Sequence, residues 1–196
     1  MIKHFLILIL FSLLTSPLLF AGDPIAGKAV SQNCEACHGE RGISPNNEIP
    51  HLAGQLAEYI TQRLSDFSDE RNQDNVMYSI ATLINDPKMV ADVSAYYAAL
   101  PSAQYPVKDQ TLANYGKSLY FGLSSCSVCH GENAEGSISQ EGYASPRLAG
   151  LSREFLIKSM HEFRSAKRVS DKGYMMNRVF SINTFLQPYS SSIFKK

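Results

Sequence analysis

Two short stretches of this chain hold the residues best suited to chemistry: Cys34-Glu35-Ala36-Cys37-His38 and Cys126-Ser127-Val128-Cys129-His130. Two thiols followed directly by an imidazole could serve three chemistries. A pair of C-x-x-C units can close a tetrahedral four-thiolate zinc site. A single unit at a helix start can shuttle a disulfide. The full C-x-x-C-H is the attachment signal for c-type haem. There the two thiols add across the vinyl groups of the porphyrin, and the next residue lies under the iron as an axial ligand.

The surroundings choose among the three. The pairs are 88 residues apart and each stands in its own copy of an internal repeat, so a shared zinc would ignore that organisation and leave both histidines idle. A dithiol site expects a strand before its helix within a βαβ pattern, and no such pattern is present. Two haem motifs at matching places in a repeat are far more specific than one alone. They imply two haem c groups, with thioethers at Cys34, Cys37, Cys126 and Cys129 and iron ligation by His38 and His130.

The repeat extends well beyond the motifs. Gly27-Lys28 answers to Gly116-Lys117, the cysteines match at an offset of 92, and Pro50-His51-Leu52-Ala53-Gly54 matches Pro146-Arg147-Leu148-Ala149-Gly150 at 96. The second copy therefore carries four extra residues between motif and L-A-G triplet, since 96 − 92 = 4. Phe67 and Phe163 keep the same step, and Met77 meets Met176 at an offset of 99. Those methionines are candidates for the far side of each iron, with Met175 as the alternative to Met176. A thioether ligand raises the potential of a haem. Six-coordinate iron offers no open position, which points to outer-sphere electron transfer and away from an enzyme with its own substrate. Met89 and Met160 fall on apolar helix faces as core fillers, while His51 and His161 are expected on the surface.

The elements that must position these groups read as helices. Asp23-Pro24 is an N-cap followed by a first-turn proline, opening a helix to about Asn33. Leu56, Tyr59, Ile60, Leu64 and Phe67 repeat at helical spacing, as do Phe155, Leu156, Met160 and Phe163 after a Ser152 cap. Asp86-Pro87 opens a further helix, with Met89, Val93, Tyr96, Tyr97 and Leu100 on one side. No stretch alternates like a strand, so the fold class is all-α. Units of about 80 residues with a few short helices are marginal by themselves, and a haem would supply an apolar centre to each.

The chain opens with a basic start, an apolar run at 5–14 and a small residue before a polar stretch, which together describe a signal peptide over 1–21. Two domains follow at 22–100 and 111–196, joined by a linker at 101–110. The formal net charge is zero, implying no global affinity for nucleic acid or anionic lipid. The balance hides an asymmetry. Residues 24–100 carry five Lys/Arg against ten Asp/Glu, and residues 101–196 carry twelve against seven, so the halves differ in sign at −5 and +5.

Taken together, these residues resemble the cytochrome c4 family, periplasmic di-haem proteins of two tandem class I cytochrome c domains, each wrapped around one covalently bound haem. The resemblance implies electron carriage from a quinol-oxidising complex to a terminal oxidase, by a monomer with at most loose membrane association. It implies that the Pro50 and Pro146 carbonyls accept a hydrogen bond from the ligand histidines and that Leu52 and Leu148 pack on the haems. It pairs an N-terminal glycine helix with a C-terminal aromatic one, here Gly27 with Tyr96 and Tyr97. A second reading is the di-haem subunit of a dehydrogenase, such as a sulfide-oxidising flavocytochrome c. A third is an enzyme or sensor with one open haem. The pattern departs from the family after Asn183, where Pro188 and Ser190–Ser192 disfavour a closing helix in the second domain.

Overall fold

The computed structural model describes residues 22–73, 75–122, 126–168 and 175–182. The signal segment and the residues expected to lack a closing helix lie outside this set.

The first half begins as its caps dictate. The Asp23 carboxylate accepts the Ile25 N–H at 2.8 Å and Pro24 sits in the first turn of α1 (Pro24–Val30). The helix was expected to run on to Asn33; instead the chain breaks at Ser31, whose hydroxyl donates to the Lys28 carbonyl at 2.9 Å. A separate helix α2 (Gln32–His38) follows and carries Cys34, Cys37 and His38. Next come α3 (Ala57–Phe67), α4 (Val76–Leu83) and α5 (Pro87–Ala98). Asn75 caps α4, and Asp86 caps α5 by accepting from the N–H groups of Lys88 and Met89.

One apolar cluster unites these helices: Ile60 and Leu64 from α3, Ala81 and Ile84 from and beside α4, Val93, Tyr96 and Tyr97 from α5, and Cys34 from α2. The α1–α5 crossing is close because Gly27 has no side chain. A Cβ there would lie 2.0 Å from the Asp92 carbonyl oxygen and 2.8 Å from Cβ of Tyr96.

The second half contains α6 (Gln110–Phe121), α7 (Cys126–His130), α8 (Arg153–Arg164) and α9 (Met175–Ile182). The Ser152 hydroxyl accepts the Phe155 N–H at 3.2 Å and caps α8 as its sequence predicts. Strand, not expected anywhere, appears among the described residues as one small antiparallel pair, β1 (Ser137–Ile138) with β2 (Ala144–Ser145). It lies within the stretch lengthened by four residues, where the extra chain closes on itself as a hairpin. Among the described residues of this half, Ala144 is the only fully buried apolar side chain, and Leu112, Tyr115 and Leu119 of α6 are each about half exposed.

The halves are joined by paired hydrogen bonds. The Gln55 amide takes both main-chain groups of Arg147, and the Gln62 amide accepts from Ala144 N–H at 3.3 Å and donates to the Gly142 carbonyl at 3.0 Å. Residues 101–109 form neither helix nor strand and pass between the two L-A-G turns. Gly54 (φ +72°) lies against Ser102, and Gly150 (φ +87°) against Ser102 and Ala103, each so closely that a Cβ would clash.

Candidate haem-binding sites

Each C-x-x-C-H motif sits on a short helix that ends in a glycine at positive φ, Gly39 at +78° and Gly131 at +83°. Ending the helix there turns the chain back toward the loop that holds the histidine. His38 Nδ1 lies 2.9 Å from the Pro50 carbonyl and His130 Nδ1 lies 2.8 Å from that of Pro146. A carbonyl can only accept, so each Nδ1 carries the proton and each Nε2 keeps its lone pair for a metal. Both rings are buried. Burial pushes both below the ordinary imidazole value, against the raising effect of the proline carbonyls, so each ring is held neutral.

The loops that deliver the prolines are built alike. The Gly42 carbonyl accepts from the N–H groups of Leu52 and Ala53 at 2.8 and 3.2 Å, and the Ala134 carbonyl accepts from those of Leu148 and Ala149 at 2.8 and 3.0 Å. Both acceptor residues adopt positive φ, +74° at Gly42 and +56° at Ala134. Alanine tolerates that conformation less readily than glycine, so the turn is kept at a local cost in the second half. Leu52 packs on the edge of the first core, and Leu148 is half-buried.

Cys34 is buried and Cys37 exposed, while Cys126 and Cys129 are intermediate. Burial raises the thiol of Cys34 and that of Cys126, which keeps both protonated at neutral pH. Met77 and Met176 each occupy the second position of an eight-residue helix, α4 and α9. Met77 packs against the apolar cluster. Met176 is half-buried, whereas its neighbour Met175 is 46% exposed.

Two expectations fail. His51 is not a surface residue: it is buried, with Nδ1 accepting the Ser44 N–H at 2.9 Å and Nε2 2.6 Å from the Tyr105 hydroxyl. A ring that accepts at Nδ1 carries its proton on Nε2, so His51 donates to Tyr105. The Ser44 hydroxyl in turn donates to the Cys37 carbonyl at 2.9 Å, tying the histidine to the end of α2. Nothing local in the sequence signals a partner 54 residues away. Met160 is not a core filler among the described residues, being 41% exposed, while His161 is exposed as expected and Met89 packs on the cluster.

Sequence reasoning also missed an arginine on each repeat-matched phenylalanine. The Arg63 guanidinium lies 4.4 Å from the centre of the Phe67 ring, and that of Arg168 lies 4.7 Å from the Phe163 ring.

The residues suit a covalently attached haem. Each half supplies two thiols on one helix, a neutral imidazole with its metal-binding nitrogen fixed by a proline carbonyl, and a methionine at the start of a later helix. Among the described residues, no group of three or more His, Cys, Asp and Glu is placed to hold a metal ion by itself. No described helix is long and apolar enough to cross a membrane.

No model of a known protein family matches the chain. It is 37% identical over 162 residues to cytochrome c4 of Thiocapsa roseopersicina, covering 79% of this chain and 82% of that one. Its structure superposes on reduced recombinant cytochrome c4 from Pseudomonas stutzeri with a TM-score of 0.68 at 28% identity, covering 82% of this chain and 90% of the other. It is also 28% identical over 156 residues to a thiosulfate dehydrogenase electron acceptor of Thiomonas intermedia, covering 75% of this chain and 70% of the relative.

Proposed function

The chain belongs to the cytochrome c4 family, and from that premise we propose that it carries electrons from a quinol-oxidising complex to a terminal oxidase in the periplasm. The fold is that of two tandem all-α class I cytochrome c domains, and the cofactors are two haems c. The observation that carries the reading is the duplicated imidazole–proline contact, 2.9 Å in one half and 2.8 Å in the other. It prepares the same ligand twice in one chain. Each haem, when bound, supplies an iron that gains or loses one electron.

The protein's own residues set the conditions for that exchange. Cys34, Cys37, Cys126 and Cys129 would hold the two groups covalently. The proline carbonyls fix the orientation of His38 and His130 and make each ring a stronger donor. Met77 and Met176 would each supply a second ligand to an iron, which would keep small ligands off it and raise its potential. The choice of Met176 over Met175 rests on its position in α9, which matches that of Met77 in α4, and on its lesser exposure. We place the division between the domains along 101–110, the segment enclosed by the two L-A-G turns. Residues 1–21 would direct export and be removed.

A second donor is favoured by one observation. A relative similar over three quarters of this chain is an electron acceptor of thiosulfate dehydrogenase, so a sulfur-oxidising dehydrogenase could replace the quinol-oxidising complex upstream. The test is a potentiometric titration followed optically, with the reduced protein then exposed to carbon monoxide. Two one-electron waves without ligand binding support a carrier. Carbon monoxide binding at either haem would sink the six-coordinate reading. Comparing reduction rates with a quinol-oxidising complex and with a thiosulfate dehydrogenase then separates the two donors.

A further inference from the structure

The last four carbonyls of a helix have no partner within it, and in α2 and α7 these include the carbonyl of each motif's second cysteine. A serine answers both. The Ser44 hydroxyl donates to the Cys37 carbonyl at 2.9 Å, and the Ser137 hydroxyl donates to the Cys129 carbonyl at 2.5 Å. Each of these carbonyls belongs to the peptide that leads into a candidate ligand histidine, His38 or His130.

The two serines are themselves held differently. Ser137 lies in β1 and pairs with Ser145 of β2, so the hairpin of the second half fixes its main chain. Residues 39–50 of the first half contain no strand. There the Ser44 N–H donates instead to Nδ1 of His51 at 2.9 Å, and both residues are buried. Position 51 answers to Arg147 at the offset of 96, and the Arg147 guanidinium turns to the Ala149 carbonyl at 3.1 Å. A side chain thus does in the first half what strand pairing does in the second.

The carbonyl that orients His38 lies in the peptide bond between Pro50 and His51. Through Ser44 the His51 ring also reaches the peptide between Cys37 and His38. It therefore ties together the two peptides that bracket the candidate ligand. Its other nitrogen leads outward: Nε2 donates at 2.6 Å to the hydroxyl of Tyr105, a residue of the 101–110 segment that is 54% exposed.

We propose that His51 is a positioning residue for the first haem, and that through it Tyr105 of the linker adjusts the potential of that haem. The proposal rests on the di-haem reading above. A carbonyl held against Nδ1 makes the imidazole a stronger donor to iron, which favours the ferric state. Loosening the Ser44–His51–Tyr105 chain frees the Pro50 carbonyl to move from His38 and so raises the potential. Ser137 is held by the hairpin, so the second haem is indifferent to the same change.

The test uses the full chain loaded with haem, with attachment verified in the wild type and in each variant before potentiometric titration. His51→Leu leaves the buried Ser44 N–H without an acceptor, and one of the two waves is expected to rise while the other stays. His51→Asn returns an acceptor near the place of Nδ1 and should bring that wave back toward its wild-type position. Tyr105→Phe removes the acceptor of the Nε2 proton and is expected to move the same wave upward by less. A merely structural histidine would lower the unfolding midpoint of His51→Leu and leave both potentials in place, and that pattern overturns the positioning role. Two waves that move together overturn it as well, and a wave indifferent to Tyr105→Phe overturns the link to the linker. If His51→Leu fails to attach both haems, the wave of Tyr105→Phe decides alone. A wild type that attaches fewer than two haems overturns the di-haem reading and the proposal with it, whereas fixed waves in a fully loaded variant overturn the proposal alone.

Discussion

The side-chain amide of Gln55 closes a ring of two hydrogen bonds with the main chain of Arg147, Nε2 donating to its carbonyl at 3.0 Å and Oε1 accepting its N–H at 2.8 Å. Arg147 directly follows Pro146, whose carbonyl orients His130. One buried glutamine of the first half therefore steadies the main chain beside the candidate ligand histidine of the second. Gln55→Leu would leave a peptide donor and acceptor without partners at the seam. Each unpaired group costs about 1–3 kcal/mol, so the variant is expected to unfold at clearly lower denaturant. A transition unchanged from wild type would show the ring to be dispensable.

Methionine substitutions give the sharpest test of ligation. Axial ligands spread haem potentials over about 0.8 V, and loss of a thioether should move a wave by a sizeable part of that range. Met77→Ala is expected to lower one wave and Met176→Ala the other, with Met175→Ala leaving both in place. Potentiometry decides the matter, and a large shift in Met175→Ala would transfer the ligand role to that residue.

The α1–α5 crossing tolerates no side chain at position 27. Gly27→Ala would set a methyl 2.0 Å from the Asp92 carbonyl oxygen, and overpacking of this kind costs about 1–3 kcal/mol or more. Thermal unfolding should report a lower midpoint for the first half. A midpoint equal to that of the wild type would mean that the helices separate at little cost.

The same crossing is acid-sensitive. The Lys88 ammonium, 2.7 Å from Asp92, and the Asp23 N–H at 2.8 Å hold the Asp92 carboxyl below its usual 3.8. A depressed folded value stabilises the protein fully above the unfolded one and is lost as pH falls through the folded value. Asp92→Asn should therefore be less stable than the wild type at neutral pH, with the gap narrowing below about pH 4. Melting curves across that range check it, and a gap independent of pH would show that charge plays no part.

Much of this was legible locally. Asp23, Asp86 and Ser152 cap the helices their positions predict, since a cap needs only a side chain and an N–H two or three residues on. The apolar spacing of Ile60, Leu64, Val93 and Tyr97 found the first core. The break at Ser31 was not visible, because the apolar and capping pattern runs through it without punctuation. His51 was misplaced for a different reason. Its polarity argued for the surface, but burial is cheap once Ser44 and Tyr105 satisfy both nitrogens.

The sequence by itself marked two haem-attachment motifs, each a pair of cysteines with a histidine after it, because that signal is written in five contiguous residues and then written again. It also determined the helical framework, which depends on residues within a turn of one another. Tertiary structure alone decided how the halves meet: the grip of Gln55 on Arg147, the His51–Tyr105 contact, and the return of a guanidinium to Phe163 from Arg168 when Ser159 replaced it. The first two of these contacts join residues 92 and 54 apart in the chain. They form only when packing brings distant backbones together, and no local periodicity encodes which distant partner will arrive.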